Sequence, residues 1–192
     1  MRLFIAIDID DAIKQRIRSL IADLRETLQE VRWVNEDGIH ITLKFLGEVD
    51  EEKAKAVAYS LEQVSSRFAS MSISISHLGR FPERGSPRVI WIGAKEESGA
   101  LKKLAQNIEE EMEKIGFEKE KREFRPHITL GRVKRYRKGG KDFPVNWDDR
   151  EVSFGSFCAE HLFLMKSTLR PDGARYERIG TFAFMKEIHK ER

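Results

Sequence analysis

The sequence predicts an α+β protein. Its plan is duplicated and bilobal: two antiparallel sheets facing a central cleft, with helices packed on the outside. Three observations carry that prediction. A short strand is written twice, as IHITLKFLG at 39–47 and as RPHITLGRV at 125–133. Each copy closes a matching stretch, in which an apolar, β-favouring run beginning with arginine leads into a helical pattern. No Pro-, Gly- or Ser-rich linker divides the chain. Both halves are therefore expected in one domain spanning 1–192, with repeat units near 2–47 and 88–133.

The opening strands are RLFIAI at 2–7 and RVIWIG at 88–93. Ile13, Ile17, Leu20, Leu24 and Leu28 then recur every three or four residues, as do Leu101, Leu104, Ile108, Met112 and Ile115. That spacing lines one side of a helix with apolar groups. From Arg2 to His40 is 38 positions, and from Arg88 to His127 is 39. Beyond the motifs the halves diverge. The first continues with a helix near 51–68 (Ala54, Ala58, Leu61, Val64 and Phe68 on one side). The strand MSISISHL follows, with His77 in phase with Ile73 and Ile75. The second half inserts a basic loop, then strands near 151–157, 160–167 and 175–184.

With 192 residues, 40% of them hydrophobic, the chain can bury a full core. A formal net charge of +3 is too weak to diagnose a nucleic-acid binder. The one cysteine, Cys158, excludes an intramolecular disulfide and a multi-cysteine zinc site, and suits a reducing cytoplasm. We read it as a small buried hydrophobe, and Trp33 and Trp91 as core residues. The start MRLFIAIDIDD has too short an apolar run, closed by Asp8, Asp10 and Asp11, to be a signal peptide or a membrane span. The expectation is a monomeric, cytoplasmic protein with no membrane partner.

Side chains alternate along a strand, so residues two apart share a face. His40, Thr42 and Lys44 are then expected to point one way, with Ile41, Leu43 and Phe45 in the core. His127 and Thr129 share a face in the second copy, opposite Ile128 and Leu130. If the two strands meet across a pseudo-twofold, two imidazoles and two hydroxyls converge. That set suits a phosphodiester. One neutral imidazole takes a proton from an attacking oxygen, and the other, protonated, gives one to the leaving oxygen. The threonine hydroxyls can donate to the non-bridging oxygens, where negative charge builds up. Metal-ligand spacing is missing: no H-E-x-x-H occurs, and no two histidines lie two apart. We therefore expect no metal.

These paired motifs resemble the 2H phosphoesterase superfamily. RLFIAID, RWVNEDGIHITLKFLGEV at 32–49, FRPHITLGRV at 124–133 and LMKSTLRPDGARYERIGTFAF near the C-terminus resemble its RNA 2′,3′-cyclic phosphodiesterases, also called 2′-5′ RNA ligases after a reverse reaction. The resemblance covers essentially the whole chain. It implies a bilobal fold with a water-filled cleft, and hydrolysis of a terminal 2′,3′-cyclic phosphate to a 2′-phosphate without metal or nucleotide cofactor. It implies His40, Thr42, His127 and Thr129 as catalytic residues, and we take His127 as base and His40 as acid.

Arg132 matches a position that in the family lies against the nucleotide. Strict alternation from His127 would put it on the wrong face, so the strand must end, twist or bulge there. Phe4 is either the other side of a base sandwich or a core aromatic. The basic stretch RVKRYRKGGK at 132–141, with Lys134 and Arg135, either tracks an RNA backbone or is a solvated loop. The partner expected is an RNA end, such as that of a tRNA fragment. Two rival functions stand beside this one: a 2H phosphodiesterase for a small cyclic nucleotide or 2′-5′ oligonucleotide, and a non-catalytic RNA-binding module.

Overall fold

The computed structural model describes residues 1–134, 152–171 and 173–186. Arg135 and the remainder of the basic stretch lie outside the described residues. The strands are β1 (Arg2–Asp8), β2 (Val31–Trp33), β3 (His40–Glu48), β4 (Met71–Phe81), β5 (Val89–Lys95), β6 (His127–Val133), β7 (Ser153–Ala159), β8 (His161–Arg170) and β9 (Gly173–Ala183). The helices are α1 (Asp11–Thr27), α2 (Glu51–Ser65) and α3 (Ala100–Lys114). Asp10 and Asp50 start the first two by accepting bonds from Ala12 N and Lys53 N, satisfying amides that have no partner inside the helix. The buried stripes are Ile13, Ile17, Ile21 and Leu24 on α1, and Leu101, Leu104, Ile108 and Met112 on α3.

All strand pairs in the sheet are antiparallel, and their order is β7-β4-β5-β6-β3-β1-β8-β9, with β2 added on β6. The expected α+β architecture is thus present. The two expected sheets, β3-β1-β8-β9 and β6-β5-β4-β7, meet at a single pair, Ile41 with Ile128. The halves of the chain do not stay apart. Strand β4, from the first half, completes the second sheet, while β8 and β9, from the second half, complete the first. Helix α1 packs against β2 and β7; α2 and α3 pack on each other and against β3, β8 and β9. The apolar faces of the strands bury against these helices and the polar faces are left open.

Both motif strands carry a bulge at the same offset. Along β1–β3, Ala6 pairs with Thr42 but Ile5 pairs with Lys44, leaving Leu43 extra. Along β5–β6, Trp91 pairs with Thr129 but Ile90 pairs with Gly131, leaving Leu130 extra. An extra residue shifts the alternation by one. This overturns the expected facing of β3 beyond Thr42. Lys44 turns to the helix side and is 6% exposed, whereas Phe45 lies on the histidine face and is 66% exposed. On β6 the same step puts Gly131 inside and Arg132 outside. Gly131 has no room for a side chain, because a Cβ would lie 2.5 Å from Val31 Cγ1. A third bulge, between Ser76 and Leu78 of β4, throws His77 out of phase with Ile73 and Ile75. It is exposed, with φ of 67°, and not the boundary residue the spacing suggested. Cys158, on the edge strand β7, is likewise exposed and not buried.

The buried Lys44 amine donates to Glu109 Oε2 on α3 at 2.5 Å and to the Glu118 carbonyl at 2.9 Å. Glu109 Oε2 also accepts from Glu120 N. The pair ties the first motif strand to a helix of the second repeat. Removing one partner strands a charge out of water, which costs about 3–5 kcal/mol, whereas replacing both with apolar groups is close to neutral. Glu109→Ala should therefore lower the unfolding free energy in urea by about that much. The double change Lys44→Met with Glu109→Leu should recover most of the loss. A single variant within about 0.5 kcal/mol of the parent would mean the pair is solvated.

Candidate active site

The seam register fixes the centre of the site. With Ile41 opposite Ile128 in an antiparallel pair, His40 falls opposite Thr129 and Thr42 opposite His127. The two isoleucines point to the helices and are fully buried. Their neighbours all point the other way, so the four expected polar groups share one small area of the open face. All four are half-buried.

Each imidazole is held by its own backbone anchor. His40 Nδ1 lies 3.2 Å from the Asp37 carbonyl, in the short 3-10 turn Glu36–Gly38, and His127 Nδ1 lies 2.7 Å from the Arg125 carbonyl. A carbonyl only accepts, so Nδ1 carries the hydrogen in both and Nε2 is left for proton transfer. Aromatic rings set the orientation. Phe4 and Tyr176 pack on His40 at 4.9 and 5.3 Å between centroids, and Phe81 and Trp91 on His127 at 5.3 and 6.2 Å.

That apolar packing governs the charge state. Burial drives the His40 pKa down from 6.5 to about 4, against the Asp37 hydrogen bond and the Asp8 carboxylate, with Lys14 adding to the fall. Burial also lowers His127, opposed by the Arg125 carbonyl and assisted by the charge of Arg132. Burial raises the Tyr176 phenol. In the protein alone both imidazoles are neutral at pH 7.

The bulges complete the face, because they set Phe45 at the offset in β3 that Arg132 holds in β6, five residues past each histidine. Phe4 is placed differently from a stacking residue: it is 2% exposed and forms the wall behind His40. Lys134 is exposed at the end of β6, with its backbone N–H bonded to Glu30. Beside His40 lies a charged group that the motifs do not announce. Asp8 pairs through Oδ1 with Lys14 at 2.7 Å and through Oδ2 with Arg178 at 2.8 Å, and Arg178 also lies 4.0 Å from the Phe163 ring. Trp91, expected in the core, is half-buried on the open face. Alternation on β5 could have revealed it, since Ile90, Ile92 and Ala94 are the buried positions. Tyr176 and Arg178 reach the site from β9, whose place beside β8, one strand beyond β1, no local pattern signals.

A separate groove of about 610 Å³ runs between the first turns of α1 and β7, and shares Asp8 and Phe163 with this site. Among the described residues no group of three or more His, Cys, Asp or Glu could hold a metal ion, and no helix is long and apolar enough to cross a membrane.

The model of a family described as LigT like phosphoesterase matches the chain twice, over residues 7–91 and 92–176. An RNA 2′,3′-cyclic phosphodiesterase of Archaeoglobus fulgidus is 39% identical over 95% of this chain and 99% of its own. One from Methanocaldococcus jannaschii is 40% identical over 93% and 98%. Among solved structures, a Thermus thermophilus protein superposes with a TM-score of 0.83 at 26% identity, covering 97% of this chain and all of its own. E. coli LigT complexed with 3′-AMP superposes with a TM-score of 0.75 at 26% identity, covering 95% and 97%.

The depressed histidine pKa makes a stability prediction. Unfolded, His40 binds its proton near pH 6.5, whereas folded it does so only near 4. The folded state therefore holds fewer protons between those values and loses stability as pH falls through that window. The Tm of the parent should drop more steeply from pH 6.5 to 4 than that of His40→Gln, which cannot titrate. Parallel Tm curves would remove the burial argument.

Proposed function

The chain belongs to the LigT-like phosphoesterases, and from that membership we propose that it opens the 2′,3′-cyclic phosphate at an RNA end to a 2′-phosphate. The observation that carries the reading is the seam register, which gathers one histidine and one threonine from each motif around one small volume. The relatives named as RNA 2′,3′-cyclic phosphodiesterases support the substrate class.

In this mechanism His127 Nε2 takes a proton from water as the water oxygen attacks phosphorus. The bond from phosphorus to the 3′ oxygen breaks, and His40 Nε2, as imidazolium, protonates that oxygen. The proton taken by one imidazole and the proton lost by the other are then exchanged with solvent. Thr42 and Thr129 donate to the non-bridging oxygens. The anionic diester raises both imidazole pKa values on binding, which lets a histidine that is neutral in the protein alone carry a proton in the complex. Arg132 and Phe45 flank the nucleotide, with Phe4 supporting His40 from behind, and Lys134 and Arg135 meet the backbone of a longer RNA. No metal or other cofactor enters. One chain supplies every group, so a monomer suffices, with 1–192 acting as a single bilobal domain. With the 5′-hydroxyl of a second strand in place of water, the same transfers join RNA 2′–5′.

His40→Ala and His127→Ala should each lower kcat by on the order of 10²–10⁴, and the threonine variants by less. The parent kcat/KM should be bell-shaped in pH. His40→Ala should lose the alkaline limb and His127→Ala the acid limb. Near-parental turnover in either folded histidine variant would sink the dyad.

The reaction itself is tested with an RNA ending in 2′,3′-cyclic phosphate, incubated in EDTA. Full activity and a 2′-phosphate product are expected, since an opposed acid and base can reach only one of the two ribose oxygens in line. A mixture of 2′- and 3′-phosphates, or activity restored by one specific divalent ion, would overturn the mechanism.

A further inference from the structure

The two histidines sit in matched motifs, on matched strands, with matched backbone anchors, yet the mechanism needs them to differ. The difference lies on the neighbouring strands. His40 is the cross-strand partner of Asp8 on β1, and His127 is the cross-strand partner of Gly93 on β5. Directly paired residues point to the same face with their Cβ atoms about 5 Å apart. One imidazole therefore has a carboxylate beside it and the other has a hydrogen atom. From this we propose that Asp8 is a positioning residue that selects His40 as the proton donor. The proposal deepens the reaction above and rests on it.

The asymmetry is built into the sheet. A Cβ at Gly93 would lie 3.0 Å from the Ser76 carbonyl oxygen, tighter than ordinary van der Waals contact. The bulge at His77 is where β4 turns that carbonyl toward Gly93. No side chain, and so no carboxylate, fits beside His127 without moving backbone. Asp8, by contrast, is held firmly. Its Oδ1 accepts from Ile9 N at 2.9 Å and from Lys14, and its Oδ2 accepts from Arg178.

The charges facing His40 come from each element packed around it. Strand β1 brings Asp8, α1 brings Lys14, and β9 brings Arg178 with the Tyr176 phenol edge-on. In the turn before β3 the Asp37 carbonyl is the anchor and Glu36 pairs with Arg18. The β6 side brings His127 on the diagonal. Asp8 is the anion among them that stabilises the imidazolium, and Lys14 opposes it. At His127 the acting charge is cationic, that of Arg132. Asp8 thus partly offsets the burial that lowers His40, whereas at His127 the charge of Arg132 adds to the fall. Asp8 makes no hydrogen bond to His40 in the structure, so its action is through the field.

Limiting slopes separate the two assignments. Well above both pKa values, kcat/KM is proportional to the protonated fraction of the acid. Well below them, it is proportional to the deprotonated fraction of the base. This holds whichever pKa is higher. Asp8→Asn keeps the shape and removes the charge. It should lower the alkaline limb of kcat/KM, for an RNA with a 2′,3′-cyclic end, by on the order of tenfold, and leave the acid limb in place. Lys14→Met removes the opposing cation and should move the same limb the other way. Opposite signs from two variants of one ion pair are not what loss of structure produces. A rise of the acid limb in Asp8→Asn would make His40 the base and overturn the proposal. So would an unchanged profile, or both limbs falling together in both variants. Failure of the underlying reaction would show elsewhere, as full turnover by His40→Ala or His127→Ala with Asp8 intact.

Discussion

One backbone pair, Ile41 with Ile128, holds the rest in relation. It is the point where the two halves of the nine-stranded sheet become one, and its parity decides what faces what. Two isoleucines that must bury their side chains on the helix side oblige their neighbours at 40, 42, 127 and 129 to face the open side. A slip of one residue would send a histidine into the core and an isoleucine into water. The hydrophobic effect on two aliphatic side chains thereby sets the spacing of four polar ones. Because the pairing continues no further, the sheets can splay from that point and leave space over the polar groups.

The bulges at Leu43 and Leu130 do a second job on the same strands. Alternation alone would have put a cation, Lys44, beside the imidazoles and sent Arg132 inward. The extra residue reverses both. Lys44 goes beneath the sheet to meet Glu109, and Phe45 and Arg132 take up equivalent posts on the open face. The open face thus has its flat groups at the rim and its titratable groups at the seam. The buried cation serves packing and makes no contact with the site.

Much of this is legible in the sequence. The α+β class follows from helical spacing and from the number of short strands, and the pairing of the motifs follows from their repetition. Arg132 even betrays its bulge, because its expected face and its alternation disagree. Phe45 sends no such signal, and alternation alone assigns it to the core. His77 and Cys158 mislead for similar reasons: a local irregularity in one case, an edge strand with one open face in the other. Asp8 and Tyr176 escape a reading of the motifs because each meets a histidine from another strand, across pairings that depend on the whole sheet. Local periodicity reports which face a residue takes, but never which residue of a distant strand lies opposite.

The crossing of β4 into the second sheet, and of β8 and β9 into the first, has a consequence for how the protein is made. Were the two repeats separate chains, the same exchange would be a domain-swapped dimer, in which neither copy has a complete sheet of its own. Fused in one polypeptide, it becomes an intramolecular swap. The strands that close the first sheet leave the ribosome after both motif strands, so the N-terminal half cannot finish folding until they have emerged. The pairing of β1 with β8 joins residues far apart in the chain, as Arg2 with Ser167 does. Such high contact order slows folding, because loop closure must be achieved before the contacts that reward it. The return is that the two sheets can neither separate nor mature singly, so the seam between them forms only when both halves have folded.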